Sequence, residues 1–120
     1  MTSAKDVVEQ FQTAMANGDA AAARRLMHDD FKFVGPLDTF DRPEPYLQAL
    51  SRLGPMIERV DVLREFADGH EVARFCHLHF KPPMPVSFVA EWYHVRGDKI
   101  AEIKIAFDAR PFGALASSTK

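Results

Sequence analysis

Between Val86 and Phe107 the chain reads VSFVAEWYHVRGDKIAEIKIAF, and no other stretch narrows its possible folds so far. Two runs rich in β-branched and aromatic residues flank Arg96-Gly97-Asp98-Lys99, which predicts a β-hairpin whose turn uses Gly97 and Asp98. After the turn Ile103, Ile105 and Phe107 alternate with Glu102, Lys104 and Ala106, so one face of the hairpin is wet and the other buried. Glu91 breaks the pattern, because it sits in the middle of the first strand among apolar neighbours. A carboxylate there must be paired, protonated or facing a cavity.

The preceding chain supplies helices and then more strands. Ser3 is placed to cap a helix carrying Val7, Val8, Phe11, Ala14 and Met15 on one stripe, with Gly18 as its left-handed terminator. Asp19 caps a second, short helix over Ala20 to Met27, stopped by His28-Asp29-Asp30. Phe31 to Val34 reads as a short strand that breaks at Gly35-Pro36. Asp41 is in place to cap a third helix, with Pro43 in its first turn and Tyr46, Leu47, Leu50 and Leu53 on its inner side. Strands over Ile57–Phe66 and Val72–Phe80 follow, and Lys81-Pro82-Pro83-Met84-Pro85 links the latter to the hairpin. The order ααβαββββ implies an α+β domain: a strongly curved, mostly antiparallel sheet with three N-terminal helices across one face.

Nothing in the totals points elsewhere. At 120 residues the chain predicts a single domain, 1–120, with a tail from about residue 111 that frays. A net charge of −2 with interspersed signs argues against a nucleic-acid partner. The N-terminus has no apolar leader and no run is long enough for a membrane span, so a cytoplasmic protein with no membrane partner is expected. A lone Cys76 rules out an internal disulfide.

The segments VVEQFQTAMANGD, HDDFKFVGP and EWYHVRGDKIAEIKIAFD, with the Asp-capped third helix, resemble the nuclear transport factor two-like superfamily. They are most similar to its SnoaL-like and ketosteroid-isomerase-like branch, over about Ala4 to Pro111. The resemblance implies a cystatin-like, cone-shaped α+β barrel around a deep pocket, often as a homodimer. It also implies which residues to inspect. The isomerases' helix-borne oxyanion tyrosine corresponds to Phe11, their general-base aspartate to Gly35, and their protonated second donor to Glu91. The acid that many SnoaL-like cyclases and limonene epoxide hydrolases carry on the last strand corresponds to Ile105. With one acid left of these positions, ordinary steroid isomerisation is not expected.

The family register places Glu91, Tyr93 and Val95 inside, beside Ile103, Ile105 and Phe107, and turns Trp92 and His94 outward. It calls for a three-residue turn, since a two-residue turn would swap the faces of the first strand. Across the proline link two registers are open. One brings Phe75, His77 and His79 to Glu91, where an imidazole could exchange protons with the carboxylate. The other brings Arg74, Cys76, Leu78 and Phe80, with Arg74 as a structural partner for Glu91. The His77-Leu78-His79 spacing also suits two zinc ligands, but no third ligand is evident, and neither metal nor cofactor is expected.

The expected pocket is lined by Phe11, Met15, Phe31, Phe33, Leu50, Val89, Ile103, Ile105 and Phe107, a profile for a small, mostly apolar organic molecule. One function is a cofactor-independent isomerase, cyclase or hydratase, with Glu91 as acid or base, His77 or His79 as its proton partner, and Tyr93 donating to an oxyanion. The alternative is a non-catalytic ligand-binding or dimerisation module. A homodimer through the outer sheet face, around Trp92 and His94, is expected in either case.

Overall fold

The computed structural model describes residues 3–112. Helices α1 (Ala4–Ala16), α2 (Ala20–Arg25) and α3 (Pro43–Leu53) interleave with strands β1 (Met27–Val34) and β2 (Thr39–Phe40). Strands β3 (Ile57–Asp68), β4 (Glu71–Phe80), β5 (Ser87–Arg96) and β6 (Lys99–Ala106) complete a six-stranded mixed sheet in the order β2-β1-β6-β5-β4-β3. Among the described residues only β1 and β6 run parallel, and the sheet stays open, with β2 and β3 as its edges. Among the described residues no helix is long and apolar enough to cross a membrane.

The local signals act as their chemistry dictates. Ser3 accepts from the Asp6 amide at 3.1 Å, Asp19 from the Ala22 amide at 3.0 Å, and Gly18 ends α1 with φ +69°. Two details differ from expectation. Arg42, not Asp41, holds the cap position of α3, with no side-chain hydrogen bond, so Pro43 alone sets that start. Helix α2 stops at Arg25, and His28, Asp29 and Asp30 belong to β1, which pairs with β6. The predicted tail falls mostly outside the described residues, but Phe112 is described, and its ring lies 5.4 Å from Phe80 and 5.3 Å from Phe107.

The core lies between the helices and one sheet face. Val7, Val8 and Phe11 of α1 meet Val72, Tyr93, Val95, Ile100 and Ile103, while Tyr46 of α3 stacks against Phe31 and Phe33 at 5.1 and 4.6 Å. These are the groups whose removal from water drives the fold.

Candidate functional site

Hairpin register decides what faces the helices. The turn is the two-residue one, Gly97-Asp98, with Arg96 opposite Lys99 and Gly97 at φ +67°. Yet Glu91, Tyr93 and Val95 still face inward, because the ladder slips between His94 and Val95 and leaves Ala101 as an extra residue in β6. The bulge restores the faces that a plain two-residue turn would have exchanged. Trp92 opposes Lys104 and His94 opposes Glu102 on the outer face.

Across the proline link the pairing of Arg74 with Glu91 and Cys76 with Val89 settles the second register. Val72, Arg74, Cys76, Leu78 and Phe80 face inward, and Phe75, His77 and His79 face outward. The apolar content of the two sets explains the choice. The first buries four apolar side chains and one charge that finds partners, whereas the second would bury two imidazoles. His77 and His79 are therefore not beside Glu91, and the predicted carboxylate–imidazole pair does not form. His79 Nε2 instead meets Asp61 Oδ2 at 2.9 Å, and His77 lies edge-on to Phe88 at 6.0 Å.

What does meet Glu91 is a single cross-strand row, Glu65–Arg74–Glu91–Ile105, on the inner face of β3 to β6. Arg74 Nε lies 3.4 Å from Glu65 Oε2 and 3.8 Å from Glu91 Oε1. The Arg74 side chain is 8% exposed, the two carboxylates 18% and 21%. Its Nε is buried without a hydrogen-bond partner, so the cation is charge-balanced while this donor goes unused. Lys5 of α1 reaches Glu65 at 3.9 Å. Tyr93 donates to Glu91 Oε1 at 3.0 Å, and Gln12 of α1 donates to the Tyr93 hydroxyl.

Desolvation raises the Glu91 pKa, and the Glu65 charge adds to it, against the lowering pull of Arg74 and the Tyr93 hydrogen bond. Burial and the neighbouring Glu91 hold the Tyr93 phenol well above its ordinary range, and burial pushes the Cys76 thiol up to about 11. Arg74 would lose its proton more readily through burial alone, but Tyr93, Glu91, Cys76 and Glu65 together keep it firmly cationic. The row thus offers a carboxyl inclined to keep its proton, a fixed cation and a second carboxylate. The hydroxyl of Tyr93, the predicted oxyanion donor, directs its one proton to Glu91 in this structure, and the residue is buried.

The predicted lining residues come together, chiefly as packed core. Phe11, Phe31, Phe33, Val89 and Ile103 are buried, and Met15, Leu50 and Ile105 lie half-buried against the core cluster. Phe107 is half-buried against Phe112. Two concavities stand out among the described residues, and neither touches Glu91: a shallow one of about 650 Å³ along α1 and a slot of about 210 Å³ between Phe66 and Trp92 on the outer face. Apolar inner surface does stay open toward β3, where Val60 and Val62 pair with Leu78 and Cys76 yet are 47% and 48% exposed. At Gly35 a Cβ would meet the Phe33 ring at 3.0 Å and Ile105 Cγ1 at 3.2 Å, so a side chain at this place would have to displace both neighbours. Among the described residues no three His, Cys, Asp or Glu side chains group as metal ligands.

Residues 8–103 match the SnoaL-like domain family. The chain belongs to that family. No curated protein matches it in sequence. Its fold is that of solved nuclear transport factor two-like structures. One, of unknown function from Cytophaga hutchinsonii, has 21% identity and a TM-score of 0.81 over 94% of this chain and 96% of that one. An uncharacterised protein from Silicibacter pomeroyi with a cystatin-like fold has 18% identity and a TM-score of 0.77, covering 93% and 81%. An LEH-like epoxide hydrolase from M. tuberculosis has 22% identity and a TM-score of 0.72, covering 96% of each. At these identities the likeness carries the fold.

Proposed function

We propose that this SnoaL-like domain is a cofactor-independent acid–base catalyst acting on a small, largely apolar organic molecule at the open inner face beside β3. The observation that carries the reading is the row Glu65–Arg74–Glu91, with both carboxylates partly reached by solvent and Val60 and Val62 exposed next to it. Glu91, which tends to hold its proton, gives it to a ligand oxygen as a bond to that oxygen breaks. Arg74 steadies the negative charge that develops there. Glu65 takes a proton from the attacking water or from a ligand carbon, so the ligand leaves neutral. The similarity to a protein described as an epoxide hydrolase makes water opening of a three-membered cyclic ether the first reaction to try. Diol formation from a panel of small apolar epoxides, abolished by Glu91→Gln and by Glu65→Gln, is the expected result. Turnover that survives both changes overturns the assignment.

The packed interior favours a second reading, a non-catalytic module. Phe11, Phe31, Tyr46 and Tyr93 fill the space between the helices and the sheet. In that case no panel member turns over, and any small molecule found by native mass spectrometry stays bound in Glu91→Gln.

We also propose that the protein is a homodimer through its outer face. Phe66, Phe88 and Trp92 there are 50–60% exposed, with Phe75 half-buried among them, and Glu71, Lys104, Arg59 and Asp61 supply both signs of charge. An apolar centre with a mixed charged rim is the composition of a contact surface.

A further inference from the structure

We propose that Gln12 is a positioning residue for Glu91: from α1 it holds the Tyr93 hydroxyl in the one orientation that sends its proton to the Glu91 carboxylate. The inference deepens the acid–base reading by giving a helix residue control over the acid.

A phenol hydroxyl has one proton and two lone pairs. The Gln12 amide donates to the hydroxyl oxygen, which commits the hydroxyl's own proton to Glu91 Oε1, 3.0 Å away. Tyr93 is 2% exposed, so bulk water competes little for its hydroxyl. Glu91 Oε1, which is also the oxygen nearest Arg74, is thereby occupied as an acceptor. Oε2 is left as the atom that takes or gives a proton. The opposite chain, Glu91 to Tyr93 to Gln12 Oε1, would bury the Glu91 proton in the protein and withhold it from a ligand. In the structure Gln12 turns Nε2, not Oε1, toward the hydroxyl, which is the arrangement that leaves the Tyr93 proton with Glu91.

The other groups around Glu91 cannot make this selection. Arg74 from β4 and Glu65 from β3 act on its charge, Cys76 of β4 and the buried Tyr46 of α3 feel that charge, and Ile105 of β6 is apolar. Lys5 reaches only Glu65. Gln12 and Lys5 are seven residues apart on the same helix, so α1 holds both ends of the polar network.

The test is an NMR titration of the Glu91 side-chain carboxyl carbon, assigned with Glu91→Gln. Gln12→Glu puts an acceptor where the donor was and draws the Tyr93 proton away from Glu91. The Glu91 midpoint is expected to rise by about one pH unit, the worth of one lost hydrogen bond to a charged group. The added charge raises it too, so the same change is made in the Tyr93→Phe background, where only the charge acts. A larger rise with Tyr93 present supports the relay, and equal rises overturn it. Gln12→Met, neutral and of similar length, covers the case in which Gln12→Glu does not fold. A raised midpoint that disappears in the Tyr93→Phe background supports the relay, and an unchanged midpoint overturns it. The titration reads Glu91 without substrate, so its failure is distinct from a failure to find turnover.

Discussion

At the scale of single residues, Glu91 is held where ionising it is unfavourable, and this has a definite sign. Desolvation raises its pKa in the folded protein above the unfolded value. Between the two values the folded state binds more protons than the unfolded state, so this group's contribution is complete below the ordinary carboxylate range and lost as pH rises through the raised pKa. Wild-type melting temperature should therefore fall across that window relative to Glu91→Gln, which cannot ionise. Melts recorded from pH 4 to pH 8 with parallel slopes would show that Glu91 titrates as a surface acid. Arg74→Met tests the row from its centre. With the cation gone, two carboxylates face an uncompensated, mostly buried site, and the loss is expected to be about 3 kcal/mol at neutral pH. It should shrink toward pH 4 as the carboxylates protonate. A loss independent of pH in urea unfolding would mean that Arg74 contributes only its aliphatic stem. Glu91 was legible in the sequence because a charge among apolar neighbours has few options. The company it keeps was harder to read: Arg74 and the two histidines sit on opposite faces of one strand, alternation alone cannot rank the two, and only the apolar content of the two sets favours the face that Arg74 shares.

At the scale of elements, helix punctuation was legible and sheet irregularity was not. Ser3, Gly18 and Asp19 act locally, so their chemistry is readable without tertiary context. The site depends instead on two bulges. Plain alternation from Val60 and Val62 puts Arg64 and Phe66 inside, but the ladder slips between Val62 and Arg64, bringing Glu65 inward opposite Arg74 and sending Phe66 out. Residues on β3 itself give no signal for this slip; it is fixed by what β4 presents. Ala101 does the same in β6, reconciling a two-residue turn with inward Glu91 and Tyr93. Deleting Ala101 forces a choice between straining the turn and turning Glu102 and Lys104 into the core in place of Ile103 and Ile105. The expected outcome is loss of cooperative unfolding by circular dichroism. An Ala101 deletion that melts like the parent would show that the bulge is dispensable.

At the scale of the molecule, one open sheet serves two surfaces with different chemistry. The inner face is covered by helices except toward β3, where the polar row and exposed valines remain. Among the described residues no helix covers the outer face, and its rows alternate large and small side chains: Phe66, Ala73 and Trp92 in one, Phe75 and Ala90 in the next. Trp92 is anchored there by its indole N–H to Glu71 Oε2 at 3.1 Å and by Lys104 5.1 Å over its ring. An aromatic held rigid before any partner arrives loses little entropy on contact, which suits it to the centre of an interface. Ala73 between Phe66 and Trp92 floors the slot of about 210 Å³, a recess that a partner's aromatic ring can enter. The partner proposed for it is a second copy, since the same face supplies both recess and rings. Sedimentation velocity at micromolar concentration is expected to show a dimer. Trp92→Glu should leave circular dichroism intact and weaken association at least about 30-fold, the effect of losing more than about 2 kcal/mol at an interface centre. A wild-type protein that sediments as a monomer at tens of micromolar would remove the dimer and leave the outer face without an assigned partner.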